Sequence, residues 1–205
     1  MKILEGDSEN YDVIIRAIHA IPVDKEGMTC EIGLRRGGGT KYIIDALKRH
    51  TLPCNVHVAI DPYGNISYQR KEGVVKRADY TNKMRDQSIG SIYSYAMKSG
   101  INFVFINLED TEFFKRYADG VPVYDECKHI LSEYVFVHFD GPHGLEPLST
   151  EFLWFDERMT PGATIVFDDI RSYDHRKLER DLIFPHGWAS IQTVGRKASY
   201  QKVAG

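Results

Sequence analysis

Cysteine is scarce in this chain: Cys30, Cys54 and Cys127 are the only three in 205 residues. Odd in number and widely spaced, they match neither a CxxC zinc frame nor a disulfide scaffold, and the reading they leave is buried thiols. Long apolar runs are missing as well. The longest, Ile101 to Leu108 and Tyr134 to Phe139, fall far short of a bilayer span, and the polar start from Met1 to Asn10 has no signal-peptide pattern. The expected location is therefore cytoplasmic, with no membrane partner. Nor is charge of one sign in excess. A formal net charge of −3 supplies no basic field, so duplex nucleic acid is not an expected partner. Repeats and low-complexity tracts are absent. With 42% apolar and 27% charged residues, the chain is expected to form one soluble domain over residues 1–205.

What the sequence does contain is an alternation of short apolar runs and helical patterns. Val13, Ile14, Ala17, Ile18 and Ile21 share one helical face, which Pro22 terminates. Met28 to Ile32 and Val56 to Ile60 read as strands, the second ending at Asp61-Pro62. Ile101 to Leu108, Tyr134 to Phe139 and Thr164 to Phe167 read as strands buried on both faces. Helical stretches near Ser88 to Lys98, Glu112 to Tyr117 and Thr150 to Arg158 fall between them. Such alternation predicts an α/β fold, a doubly wound and mostly parallel sheet. The tail from Trp188 to Val203 reads as an antiparallel hairpin turning at Gly195-Arg196. In sheets of this kind ligands bind beyond the carboxyl ends of the strands, so the residues there carry most functional weight.

Beyond the first strand lies Glu31-Ile32-Gly33-Leu34-Arg35-Arg36-Gly37-Gly38-Gly39-Thr40. A P-loop requires Lys-Ser/Thr after its last glycine, and a dinucleotide fingerprint requires Gly-x-Gly-x-x-Gly; neither occurs. The order acid-x-Gly-x-x-x-Gly resembles instead the first motif of class I S-adenosylmethionine-dependent methyltransferases. That resemblance implies a Rossmann-like fold and assigns Glu31, Gly33, Gly37, Thr40, Asp61 and Asp140 to the cofactor. Glu31 would complement its positive charge and Asp61 its ribose hydroxyls, since a carboxylate offers two acceptor oxygens to a vicinal diol. The alternative is a purely structural glycine turn with a strand-terminal aspartate.

Asp140-Gly141-Pro142-His143 and Asp168-Asp169 would bring three carboxylates to one rim. So much like charge is costly unless a cation neutralises it, and oxygen ligands favour Mg²⁺ or another divalent ion. The set resembles the metal site of Mg²⁺-dependent sugar O-methyltransferases of macrolide and aminocoumarin biosynthesis, over roughly Cys30 to Ile170. The resemblance implies that Asp140, Asp168 and Asp169 bind the metal and that His143 is the general base. An imidazole titrating near neutrality suits that task. Some related enzymes carry a second acid where this chain has Pro142. Strand-end capping by the aspartates and a loop-capping role for His143 are the structural alternatives. Enzymes that methylate nitrogen usually show Asn/Asp-Pro-Pro-Tyr after the fourth strand, which Asp140-Gly-Pro-His does not match. The expected acceptor is a hydroxyl on a small molecule.

The connection over residues 63–100 is too long for a simple crossover and mixes Tyr63, Tyr68, Tyr80, Tyr93 and Tyr95 with Arg70, Lys71, Lys76, Arg77, Lys83 and Arg85. It is expected to act as a lid or substrate insertion; a solvated charged helix is the plainer alternative. Arg171 to His186 either closes over the acceptor or forms the last crossover. Two other functions fit parts of the pattern: a metal-dependent glycosyltransferase, and a non-catalytic module retaining the fold. A homodimer is expected from the fold type alone.

Overall fold

The computed structural model describes every residue except 1–3, 5, 7, 65, 72, 78, 79, 125, 204 and 205, and omits the side chains of Tyr68, Gln69 and Arg77. Helix α1 (Asp12–His19) buries Val13, Ile14, Ala17 and Ile18 completely, as the 3–4 spacing of those residues requires. Five strands fall on the expected runs: β1 (Met28–Ile32), β2 (Val56–Ile60), β5 (Asn102–Ile106), β8 (Tyr134–Phe139) and β9 (Met159–Phe167); β9 starts five residues before Thr164, and β5, expected to be buried on both faces, is buried only at Phe103. With β10 (Trp188–Val194) and β11 (Lys197–Lys202) they form one seven-stranded sheet, ordered β10-β11-β9-β8-β1-β2-β5. The pairs from β9 through β5 are parallel, and β11 joins β9 antiparallel. The sequence order reverses between β1 and β8, and ligand crevices open at such reversals.

Both faces of the sheet are covered. Helices α2 (Gly38–Arg49) and α3 (Asn82–Lys98) pack with α1 on one face, where Ile43, Leu47, Ile92 and Phe136 are buried. On the other face, α4 (Asp110–Arg116) and α5 (Leu145–Asp156) bury Phe113, Phe152 and Phe155 against Val137, Phe139 and Phe167. Each such side chain contributes about 1.5–3 kcal/mol on burial, so the two layers together hold the strand ends in register.

Several features depart from expectation. The connection over 63–100 contains a hairpin, β3 (Ser67–Lys71) with β4 (Val74–Arg77), and then the 17-residue α3, capped by the Thr81 hydroxyl on the Met84 amide. The helix expected near Ser88 to Lys98 thus starts six residues earlier, at Asn82, its added first turns being mostly polar and exposed. A second hairpin, β6 (Val121–Tyr124) with β7 (Lys128–Leu131), lies where no strands are expected. Arg171 to His186 holds α6 (His175–Leu178) and a π-helical turn (Glu179–Ile183), packed as a crossover with Leu178 and Ile183 buried. His175 there bonds Tyr173 and Tyr200. Of the three thiols only Cys30 is fully buried; Cys127 is exposed on the β6–β7 hairpin. Among the described residues no helix is long and apolar enough to cross a membrane.

Candidate active site

Strand β1 ends at Ile32, and Gly33 crosses directly beneath the end of β8. A Cβ at Gly33 would collide with the carbonyl oxygen of Asp140, and its φ of +86° favours glycine independently. Gly39 is fixed in another way, since a Cβ there would strike the Glu31 carboxylate. Asp61, at the end of β2, holds the turn in place. Its Oδ2 accepts the amides of Leu34 and Arg35, both at 2.9 Å, and its Oδ1 accepts that of Tyr63 at 2.8 Å. The Tyr63 hydroxyl returns to the Arg35 carbonyl, locking two loops through one tyrosine. Burial raises the Asp61 carboxyl above its usual range, against the lowering effect of its three amides.

These loops and the ends of β8 and β9 enclose a pocket of about 700 Å³. Of the residues expected to serve a cofactor, Gly33, Asp61 and Asp140 line it, alongside Gly38 and Gly39. Glu31, Gly37 and Thr40 lie behind that lining. Glu31 is 1% exposed; it accepts the Thr40 hydroxyl and meets His138 Nδ1 at 2.9 Å. Gly37 is the left-handed residue that starts α2, packed against Ile92. The low wall left by the side-chain-free glycines suits a nucleoside-sized ligand brought close to the backbone. From the 63–100 connection, Arg70, Lys76, Tyr80 and Met84 reach the same pocket, with the Arg35 guanidinium 5.3 Å from the Tyr80 ring.

The acidic rim is arranged differently from the expected trio. Asp140 and Asp168 converge with His138, their ligand atoms lying within 4.8 Å of one another. Asp169 is not in that group: Oδ1 pairs with Arg196 at 2.5 Å and Oδ2 lies 3.4 Å from His143 Nε2. Asp168 forms a buried ion pair with Lys197, and its Oδ1 takes the Asp169 amide at 2.7 Å. Burial pushes the Asp168 carboxyl up, but Lys197, His138 and the hydrogen bonds more than offset this, and it lies below the usual range. Asp140 is driven well above that range by burial and then by the charge of Asp168. His143 moves down, because burial outweighs the pull of Asp169 and Asp168.

A row of buried polar side chains thus crosses four adjacent strands: Glu31 on β1, His138 on β8, Asp168 after β9 and Lys197 on β11. His138 and Lys197 are 0% exposed, and His138 Nε2 has no hydrogen-bond partner among the described residues. These residues do not fit a doubly charged ion held by Asp140, Asp168 and Asp169, since Asp169 is drawn off by Arg196 and a fixed ammonium already sits on Asp168. Sequence reasoning passed over His138, Arg196 and Lys197. The available signals were a lone histidine inside an otherwise apolar run and two basic residues directly after a glycine turn.

Seven strands in this order, with a glycine turn and acidic strand ends facing one pocket, define a class I S-adenosylmethionine-dependent methyltransferase. The family described as a methyltransferase domain matches residues 30–170; the chain belongs to that family. Among solved structures, the calicheamicin methyltransferase CalS11 is similar at a TM-score of 0.64 and 12% identity, covering 93% of this chain and 76% of CalS11. The O-methyltransferase NovP gives 0.58 and 12%, over 95% and 79% of the two chains. TomG from Streptomyces achromogenes, an O-methyltransferase of tomaymycin synthesis solved with S-adenosylmethionine, gives 0.56 and 14%, over 100% and 84%. No curated protein matches the sequence.

Proposed function

We propose that this methyltransferase moves the methyl group of S-adenosylmethionine to a hydroxyl of a small, sugar-like molecule, with His143 as general base. One observation carries the reading: His143, paired with Asp169, opens onto the same pocket as Gly33, Asp61 and Asp140. Its lowered pKa keeps the imidazole neutral at physiological pH, ready to take a proton. Asp169 orients the ring and stabilises the imidazolium that forms, with Arg196 fixing Asp169 from the other side. The cofactor supplies an electrophilic methyl on a sulfonium. What the protein adds is alignment of acceptor and methyl, worth about 7 to 11 kcal/mol when the geometry is near attack.

The acceptor class draws support from named relatives. CalS11 is described as a TDP-rhamnose 3′-O-methyltransferase, and NovP and TomG as O-methyltransferases. Arg36, Arg70 and Lys76 on the pocket wall suit an acceptor carrying an anionic substituent. The Mg²⁺ expected from sequence has no step in this reading, and cytoplasmic, membrane-free operation is retained as part of it.

Calorimetry with S-adenosylhomocysteine, followed by labelled methyl transfer to sugars and nucleotide sugars, tests the proposal. Binding is expected, with label on oxygen, and His143→Gln is expected to stop transfer while sparing binding. Failure to bind, label on nitrogen, or an unaffected His143→Gln would overturn it.

A further inference from the structure

We infer that Lys197 is the resident cation of the acidic rim, standing where related enzymes are expected to place a divalent metal, so that this chain needs no metal ion. The inference rests on the acceptor site proposed above. Lys197 is fully buried on β11, a position an ammonium tolerates only when paired. Its Nζ donates to Asp168 Oδ2 and to Ser8 Oγ at 3.0 Å, and sits 5.1 Å from the Tyr11 ring. With Oδ1 occupied by the Asp169 amide, both oxygens of Asp168 are engaged.

The neighbouring pair repeats the arrangement, Arg196 meeting Asp169 at 2.5 Å. Antiparallel pairing of β11 with β9, in which Ala198 faces Phe167, delivers two consecutive cations to two consecutive carboxylates. Their charges cancel one for one. A divalent ion entering beside Asp168 would meet a fixed ammonium at hydrogen-bonding range and would have to displace it. Were that ammonium removed, His138, Asp140 and Asp168 would still offer ligand atoms within 4.8 Å of one another, with Glu31 on His138 Nδ1 at 2.9 Å. A carboxylate behind a histidine is a frequent support for a metal-ligating imidazole. Lys197 is thus a positioning residue whose charge holds the rim in place of a metal.

Mn²⁺ titration followed by electron paramagnetic resonance, together with methyl transfer with and without EDTA, tests this on the wild type, Lys197→Met and Lys197→Arg. The wild type is expected to bind no Mn²⁺ specifically and to be indifferent to EDTA. Lys197→Met is expected to lose roughly 100-fold in transfer, to keep S-adenosylhomocysteine binding, and to acquire stoichiometric Mn²⁺ binding with partial rescue of transfer. Lys197→Arg, which keeps the charge, should behave as wild type toward Mn²⁺. Stoichiometric Mn²⁺ binding by the wild type, transfer abolished by EDTA, or an unimpaired Lys197→Met would each overturn the inference. If S-adenosylhomocysteine fails to bind the wild type, the functional reading falls separately and the Mn²⁺ titration still decides on Lys197. Should Lys197→Met not fold, the wild type and Lys197→Arg decide.

Discussion

Two halves of one pocket solve the same electrostatic problem by different means. On the β1–β2 side, the buried carboxylate of Asp61 is satisfied by three backbone amides from the loops it holds. On the β8–β9 side, Asp168 and Asp169 are satisfied by side-chain cations from the final hairpin. Amides are dipoles that local chain geometry supplies, whereas ammonium and guanidinium groups must be brought from elsewhere in the fold. The first half is therefore a local structure that positions a ligand, and the second a long-range assembly that is lost when either partner goes.

The largest contrast should come from removing one partner of the buried pair. Lys197→Met leaves Asp168 buried without its cation, the Asp169 amide alone remaining on it, and about 3–5 kcal/mol of stability should disappear, read from urea unfolding. The sign of its pH dependence is fixed. Asp168 lies below the ordinary carboxylate range in the fold, so its stabilisation is present above its unfolded pKa and lost as pH falls through the lowered folded value. Asp140, raised in the fold, acts oppositely: its contribution is present at low pH and fades as pH rises through the elevated value. A Lys197→Met protein as stable as wild type would erase the distinction between the halves.

Chemistry should respond on the charged side only. His143→Gln should cost about 100-fold or more in kcat with cofactor affinity unchanged, and the acid limb of the wild-type rate profile should lie below the ordinary imidazole value of 6.5. An acid limb above 6.5 would show that His143 is not a base of lowered pKa. Asp61→Ala probes the other half. It deprives the Leu34, Arg35 and Tyr63 amides of their acceptor, so about 1–3 kcal/mol should be lost, and S-adenosylhomocysteine should bind more weakly because the glycine turn loosens. Intact affinity in Asp61→Ala would place the cofactor away from that turn.

The same contrast explains what could be read in the chain beforehand. β1, β2 and β8 fall where their apolar runs place them, and α1 follows its 3–4 pattern, because these signals are local. Gly33 and Asp61 were legible for the same reason: a turn demanding glycine and a carboxylate at a strand end leave marks within a few residues. Lys197 and Asp168 lie 29 residues apart, and His138 and Glu31 lie 107 apart. Nothing near Lys197 in sequence says that its strand will lie beside β9, so three carboxylates without a visible counter-charge implied a metal. The β3–β4 and β6–β7 hairpins were missed for another reason, since exposed residues such as Val75, Tyr124 and Ile130 do not produce the alternation by which a half-buried strand is recognised.

A smaller effect sharpens the comparison at the scaffold end. His57 on β2 is fully buried, its Nδ1 3.0 Å from the Thr29 hydroxyl and its Nε2 without a partner among the described residues. Burial pulls its pKa down to about 4. A histidine depressed in the fold stabilises above its unfolded pKa of 6.5 and loses that contribution as pH falls through the window down to about 4. At pH 5.5 this residue alone should therefore cost about 1.4 kcal/mol relative to pH 7.5. His57→Phe removes the titration while keeping an aromatic ring beside Phe103, now 5.9 Å from the imidazole. The Thr29 hydroxyl retains the Val56 carbonyl as acceptor at 3.3 Å. The variant's unfolding free energy should thus fall less steeply between pH 7.5 and 5.5, by about 1.4 kcal/mol, with methyl transfer unchanged because His57 lies outside the pocket. Parallel pH curves for the variant and the wild type would mean that His57 titrates alike in the folded and unfolded chains.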